Sequence, residues 1–193
     1  KNISINVCKQ LDYHRSFFFK HSPYKEPLAK AIGLKKGQPR PKIIDLTGGM
    51  LGDSLLIYSL IEGIELEVWE RSPLVALLIE DALKQYNLKI DFHFGEFLQE
   101  YTDCDFLAQT TLYFDPMYQM TNKKTAAKKE MMFFREGIGP DFDAESVAKK
   151  LLGMASRLVI KRSKKATPVL ENPTHSILGK STAYDVYLCS NDK

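Results

Sequence analysis

The sequence predicts an α/β fold: a mostly parallel sheet with helices on both faces and an antiparallel hairpin at its C-terminal end. Three observations predict it. From residue 42 onward, short apolar runs alternate with longer segments of helical pattern. The first run breaks at Gly48-Gly49 and restarts as an apolar helix at Leu55, Leu56, Ile57 and Leu60. The last two runs, Ser176–Leu178 and Ala183–Leu188, are separated by a short Gly179-Lys180-Ser181-Thr182 turn, the spacing of a hairpin.

Residues 1–26 show no clean period, but His14-Arg15-Ser16-Phe17-Phe18-Phe19-Lys20-His21 interleaves basic and aromatic side chains. Such a mix can stack bases and neutralise phosphate, or pack as an arm on the main domain. Pro27 to Gly33 reads as a short helix, with Pro at its first position and Gly past its end. A polar Lys35–Pro41 connection follows. The chain therefore divides into an N-terminal arm and short helix, 1–41, and a main domain, 42–193.

The first strand, Ile43 to about Leu46, leads into Thr47-Gly48-Gly49-Met50-Leu51-Gly52-Asp53. Glycines let backbone close on a ligand without a Cβ in the way. The loop lacks both the G-x-G-x-x-G of dinucleotide binders and the Gly-Lys-Ser/Thr of a phosphate loop. Asp45 and Asp53 bracket it with negative charge, which suits a cationic sulfonium better than a pyrophosphate. The helix ends near Gly63, and Glu65–Glu70 is the second strand. An acid at that strand's end, here Glu70, is placed to accept ribose hydroxyls. Ser72-Pro73 opens the next helix. Lys89–Phe94 alternates as the third strand, with Gly95-Glu96 at its end, and Thr102–Gln109 reads as a loop.

The fourth strand, Thr111–Phe114, runs into Asp115-Pro116-Met117-Tyr118. There the Asp carboxylate and backbone carbonyls can accept protons of an exocyclic amine. Pro116 fixes their aim, and the ring of Tyr118 can stack on the base. Taken alone, the turn is also an ordinary strand ending. Residues 119–136 are basic and helix-favouring, with Lys123, Lys124, Lys128 and Lys129. Asp143 begins a helix ending near Ser156, and Arg157–Arg162 is the fifth strand, followed by Lys164-Lys165.

Composition narrows the function classes. The net charge of +3 is uneven: residues 121–193 hold 14 Lys and Arg against 8 Asp and Glu, which suits a polyanion such as RNA, but on charge alone solvated lysines on helix faces account for the count better. No apolar run approaches a membrane span, and the start lacks the sustained apolar region of a leader. Cys8, Cys104 and Cys189 have neither metal nor disulfide spacing, so buried free thiols in a reducing cytoplasm are expected. The 4 scattered histidines give no metal site.

In this order and spacing the chain resembles the bacterial 16S ribosomal RNA guanine-N2 methyltransferases of the RsmJ family, from about His14 onward. The carriers are His14-Arg15 with Ala29–Gly33, Asp45–Asp53, Glu70–Ala76, Asp115–Tyr118, Lys128–Met131, Gly139–Asp141 with Asp143-Ala144, Val159–Arg162 and Tyr184–Tyr187. The resemblance implies a Rossmann-like class I methyltransferase with a seven-stranded sheet, using S-adenosylmethionine on small-subunit RNA. It implies no metal. Cofactor contacts carried over from the family would fall on Gly52, Asp53, Glu70, Arg71, Gly95, Glu96 and Asp115, and the charge of Asp45, with that of Asp53, would face the methionine end. Asp115, Pro116 and Tyr118 would be catalytic. Gly52, Tyr118-Gln119 and Gly95-Glu96 depart from the family's usual residues. The implied partner is ribosomal RNA or the small subunit, in the cytoplasm, with no membrane; the basic 123–129 and 161–165 segments, with the aromatic arm, would hold the RNA. Two other functions fit the same residues: an N6-adenine or other amine methyltransferase, and a non-catalytic RNA-binding protein.

Overall fold

The computed structural model describes residues 5–101, 106–116 and 143–189. Seven strands form one sheet in the order β3-β2-β1-β4-β5-β7-β6. They are β1 Lys42–Asp45, β2 Leu66–Glu70, β3 Asp91–Phe94, β4 Leu107–Phe114, β5 Ala155–Ser163, β6 His175–Leu178 and β7 Thr182–Leu188. Pairings among β1 to β5 are parallel; β7 runs antiparallel to both β5 and β6. The expected mostly parallel seven-stranded sheet with a closing hairpin is therefore present.

Strand alternation divides the apolar side chains between two cores. Ile43, Val68, Tyr113, Val159 and Val186 pack on one face. Ile44, Trp69, Leu112, Phe114, Leu158 and Ile160 pack on the other. Both faces of a parallel sheet need covering. Helices α1 Val7–Lys20, α2 Pro27–Ala31, α3 Gly52–Leu60 and α4 Pro73–Tyr86 bring residues to the first core. Phe97 of α5 Phe97–Glu100, with Ala144, Ala148 and Leu151 of α6 Ala144–Leu151, covers the second.

The structure corrects several sequence expectations. Residues 7–20, read as aperiodic, are helical, capped by the Asn6 side chain accepting from the Lys9 amide at 3.0 Å. Val7 and Leu11 are its buried residues, and they join the same core as β1. The fourth strand begins at Leu107 rather than Thr111, with Gln109 at φ 55° and a register shift between Leu107 and Thr111. The short helix α5 was not anticipated. The helix expected to reach Ser156 stops at Leu151, because Gly153 turns at φ 89° and Ala155 already starts β5. Neither of the two described thiols is buried: Cys8 is exposed and Cys189 partly exposed. Cys104, Tyr118 and the basic 119–136 segment lie outside the described residues.

Candidate active site

The strand order reverses direction between β1 and β4, which is where an open α/β sheet leaves a crevice at its carboxyl ends. Asp45 ends β1 opposite Tyr113, and Asp115 follows β4. The two carboxylates expected from distant stretches of sequence thus meet at that reversal.

Asp45 is 1% exposed. Its Oδ1 accepts from the Thr47 amide at 3.0 Å, and its Oδ2 accepts from Ser54 Oγ at 2.5 Å. Burial pushes its pKa up to about 7; the bonds from Ser54 and Thr47 oppose the rise, and the Asp53 and Asp115 charges add to it. Asp45 therefore fastens the glycine loop to the first turn of α3. Thr47 extends this link, its Oγ1 accepting from the Asp115 amide at 2.8 Å.

The loop itself is held from two sides. Gly48 lies against β2, its amide donating to the Trp69 carbonyl at 2.8 Å. A Cβ there would sit 2.8 Å from Val68 Cγ1. The Gly49 amide donates to Glu70 Oε2 at 2.8 Å, while Glu70 Oε1 accepts from the Ser72 amide at 2.7 Å. Glu70, though 8% exposed, so stands at the end of β2 with its carboxylate turned to the loop. Ser72 serves α4 through its backbone, making no side-chain cap. Leu51, at φ 57°, turns the chain into α3 at Gly52, beside which a Cβ would meet open space.

Asp53 and Asp115 converge on one cation that sequence reasoning had placed elsewhere. Lys161 of β5 donates to Asp53 Oδ2 at 2.5 Å and to Asp115 Oδ2 at 2.8 Å. Tyr113 also donates to Asp53 Oδ2, at 2.5 Å. Burial pulls the Lys161 pKa down, but the two carboxylates outweigh it and hold the ammonium well above its ordinary value. Burial, aided by the Asp53 charge, likewise pushes the Tyr184 phenol up to about 12. The basic 161–165 run is therefore divided. Lys161 faces the site, and Arg162 binds the buried Asp185 at 2.6 Å and 3.1 Å. Lys164 and Lys165 remain exposed. No local pattern marks Lys161, whose partners lie 108 and 46 positions away.

The remaining expected contacts form a second group beside β2 and β3. Arg71 grips Asp143 through two bonds, at 3.0 Å and 3.3 Å, and lies 3.7 Å from Glu96. The hydrogen bond from Arg71 holds the Asp143 carboxyl below its usual range. Gly95, at φ 145°, donates to the Glu70 carbonyl at 3.0 Å. Nearby, Glu67, Asp91 and His93 bring their ligating atoms within 4.8 Å of one another. Glu67 is already bonded by Lys42 at 2.7 Å and Trp69 Nε1 at 2.6 Å, an ion-pair network rather than an open cation cage.

Helix α1 carries a row of stacked rings. Tyr13 and Phe17 stack at 6.5 Å, and Phe17 and His21 at 4.4 Å. Among the described residues no helix is long and apolar enough to cross a membrane.

Comparison with known proteins agrees with this architecture. The family described as "Putative SAM-dependent methyltransferase" matches residues 1–189. The Ribosomal RNA small subunit methyltransferase J of Ectopseudomonas mendocina is 36% identical over 172 residues, which is 83% of this chain and 65% of the relative. That of Thioalkalivibrio sulfidiphilus is 35% identical over 175 residues, 84% of this chain and 68% of the relative. The chain thus spans 65% of the length of the first of these relatives. Among solved structures, a SAM-dependent methyltransferase from Neisseria gonorrhoeae superposes with a TM-score of 0.62 at 25% identity, covering 88% of this chain and 73% of the other. The N-terminal domain of human METTL16, solved with SAH, shares the fold alone, with a TM-score of 0.54 at 13% identity and coverage of 86% and 68%.

Proposed function

Because the chain belongs to the family of putative SAM-dependent methyltransferases, we propose that it methylates the exocyclic N2 amine of a guanine in small-subunit (16S) ribosomal RNA. The observation that carries this reading is the convergence of Asp45, Asp53 and Asp115 at the sheet's reversal, with Glu70 closing the same glycine loop. An acidic, glycine-lined rim fits a sulfonium and an amino-acid ammonium, and it does not fit a pyrophosphate. When bound, S-adenosylmethionine supplies an electrophilic methyl group and keeps the electron pair of the broken C–S bond.

The chain's own residues then bind and orient. Glu70 takes the ribose hydroxyls, and Gly52 and Asp53 border the methionine end. Arg71, Gly95 and Glu96 flank the donor's adenine. The Asp115 carboxylate and Pro116 carbonyl accept the two protons of the guanine amine. That orients its lone pair, which is otherwise withdrawn into the ring, and Tyr118 stacks on the base. As the nitrogen bonds the methyl carbon it loses one proton to water, the proton that the Asp115 carboxylate had been holding. Lys164, Lys165, the 123–129 lysines and the ring row of α1 hold the RNA by charge and stacking. A ribosomal substrate implies work in the cytoplasm.

The test is Asp115→Ala, assayed by methyl incorporation into small-subunit RNA. Transfer should fall by about a thousandfold, in the range set by loss of a charge-stabilising group, with the thermal transition retained. Full activity would remove Asp115 from the mechanism.

A further inference from the structure

Lys161 was expected among the residues that meet RNA, yet its side chain is only 19% exposed and its ammonium is spent inside the site. It bridges two segments that a methyl-transfer site must keep in register. Asp53 belongs to the first turn of α3, behind the glycine loop. Asp115 belongs to the turn after β4. The strand pairing sets the reach: Ile160 lies opposite Phe114 on β4, so the next residue along β5 stands beside Asp115. On the other side Lys161 pairs with Tyr184 of β7.

We propose that Lys161 is the positioning residue of this site: its ammonium locks the turn after β4 to the donor loop and sets the charge that a sulfonium meets there. The proposal deepens the methyl-transfer reading and rests on it for the identity of the ligand. Two consequences follow from the geometry. First, an Asp115 carboxylate bonded to an ammonium is held in one orientation, as an acceptor for the amine's protons. Second, the site holds several carboxylates, and the Lys161 charge offsets part of their field. Removing that charge makes the rim more negative, which strengthens binding of a cation more than binding of its neutral analogue.

S-adenosylmethionine and S-adenosylhomocysteine supply that pair, since they differ by the methyl group and the sulfonium charge it confers. The experiment measures calorimetric affinities of both ligands for the protein and for Lys161→Gln, Lys161→Met and Lys161→Arg. The same four proteins are assayed for kcat and KM on small-subunit RNA. Lys161→Gln keeps a donor while losing the charge, and it serves if the Met variant fails to fold. The expected result is a preference for the sulfonium ligand that grows at least threefold in the Gln and Met variants and stays within twofold of the parent in the Arg variant. Their kcat should fall tenfold or more at nearly constant RNA KM, with partial recovery in the Arg variant. An unchanged ligand preference, or a rise in RNA KM alone at constant kcat, overturns the proposal; the second result would make Lys161 an RNA contact. If the parent binds both ligands but leaves the RNA unmethylated, the reaction reading fails, and the affinity ratio alone decides the role of Lys161.

Discussion

Replacing Asp45 with Asn should stabilise the protein at alkaline pH and leave it little changed at acid pH. The carboxyl is 1% exposed and sits near the charges of Asp53 and Asp115. Its folded pKa is about 7, against a reference value of 3.8. Between those values the folded chain holds a proton that the unfolded chain has released. Stability from this group is therefore greatest below the lower value and falls as pH rises toward 7. At ~1.4 kcal/mol per pKa unit, the loss comes to about 4 kcal/mol. Asn can still accept from the Thr47 amide and cannot ionise. The melting-temperature difference between Asp45→Asn and the parent should therefore grow across this interval. For a chain of this size the growth is about 8 to 16 °C. Differential scanning fluorimetry in buffers from pH 3.8 to alkaline measures it directly. A difference that stays flat with pH would refute the argument, because it would mean Asp45 titrates alike in both states.

Gly48→Ala should loosen the loop, since the new Cβ meets Val68 Cγ1 at 2.8 Å and both Ile79 Cδ1 and the Trp69 carbonyl at 3.2 Å. A cost of about 1–3 kcal/mol is expected from urea titration, with weaker S-adenosylmethionine binding; wild-type values for both would mean the loop is free to shift. Arg162→Met leaves Asp185, which is 0% exposed, bonded to Ser176 Oγ at 2.6 Å but without its guanidinium. Its cost should be about 3–5 kcal/mol in the same titration. Adding Asp185→Asn should recover part of it, and strictly additive losses would contradict a coupled pair.

Much of the frame could be read from the chain because its strands are buried on both faces and so stand out as apolar runs. Ile43-Ile44, Leu112–Phe114 and Leu158–Ile160 are of that kind. The α1 helix could not be read this way. Val7 and Leu11 are its buried positions, while Phe19 is 90% exposed and Tyr13 66%, so rings on the outside blur the helical period. The early half of β4 was hidden by Gln109, whose positive φ belongs to a bulge rather than a regular strand. At the site, the carboxylates were visible because strand ends and turns announce them. Their cation was not: a lysine in a basic run reads as surface charge until the register of β5 against β4 turns it inward. The same holds for Arg162, which only the β5–β7 pairing brings to Asp185.

The place of β7 between β5 and β6 has a consequence for how the chain is made. On the ribosome, β5 emerges well before the strand that will flank it, and until Thr182 appears it presents one bare hydrogen-bonding margin. Arg162 waits over the same interval for Asp185. A nascent or clipped chain that stops short of β7 is thus both sticky and carrying an unbalanced cation, the kind of species that chaperones and proteases intercept.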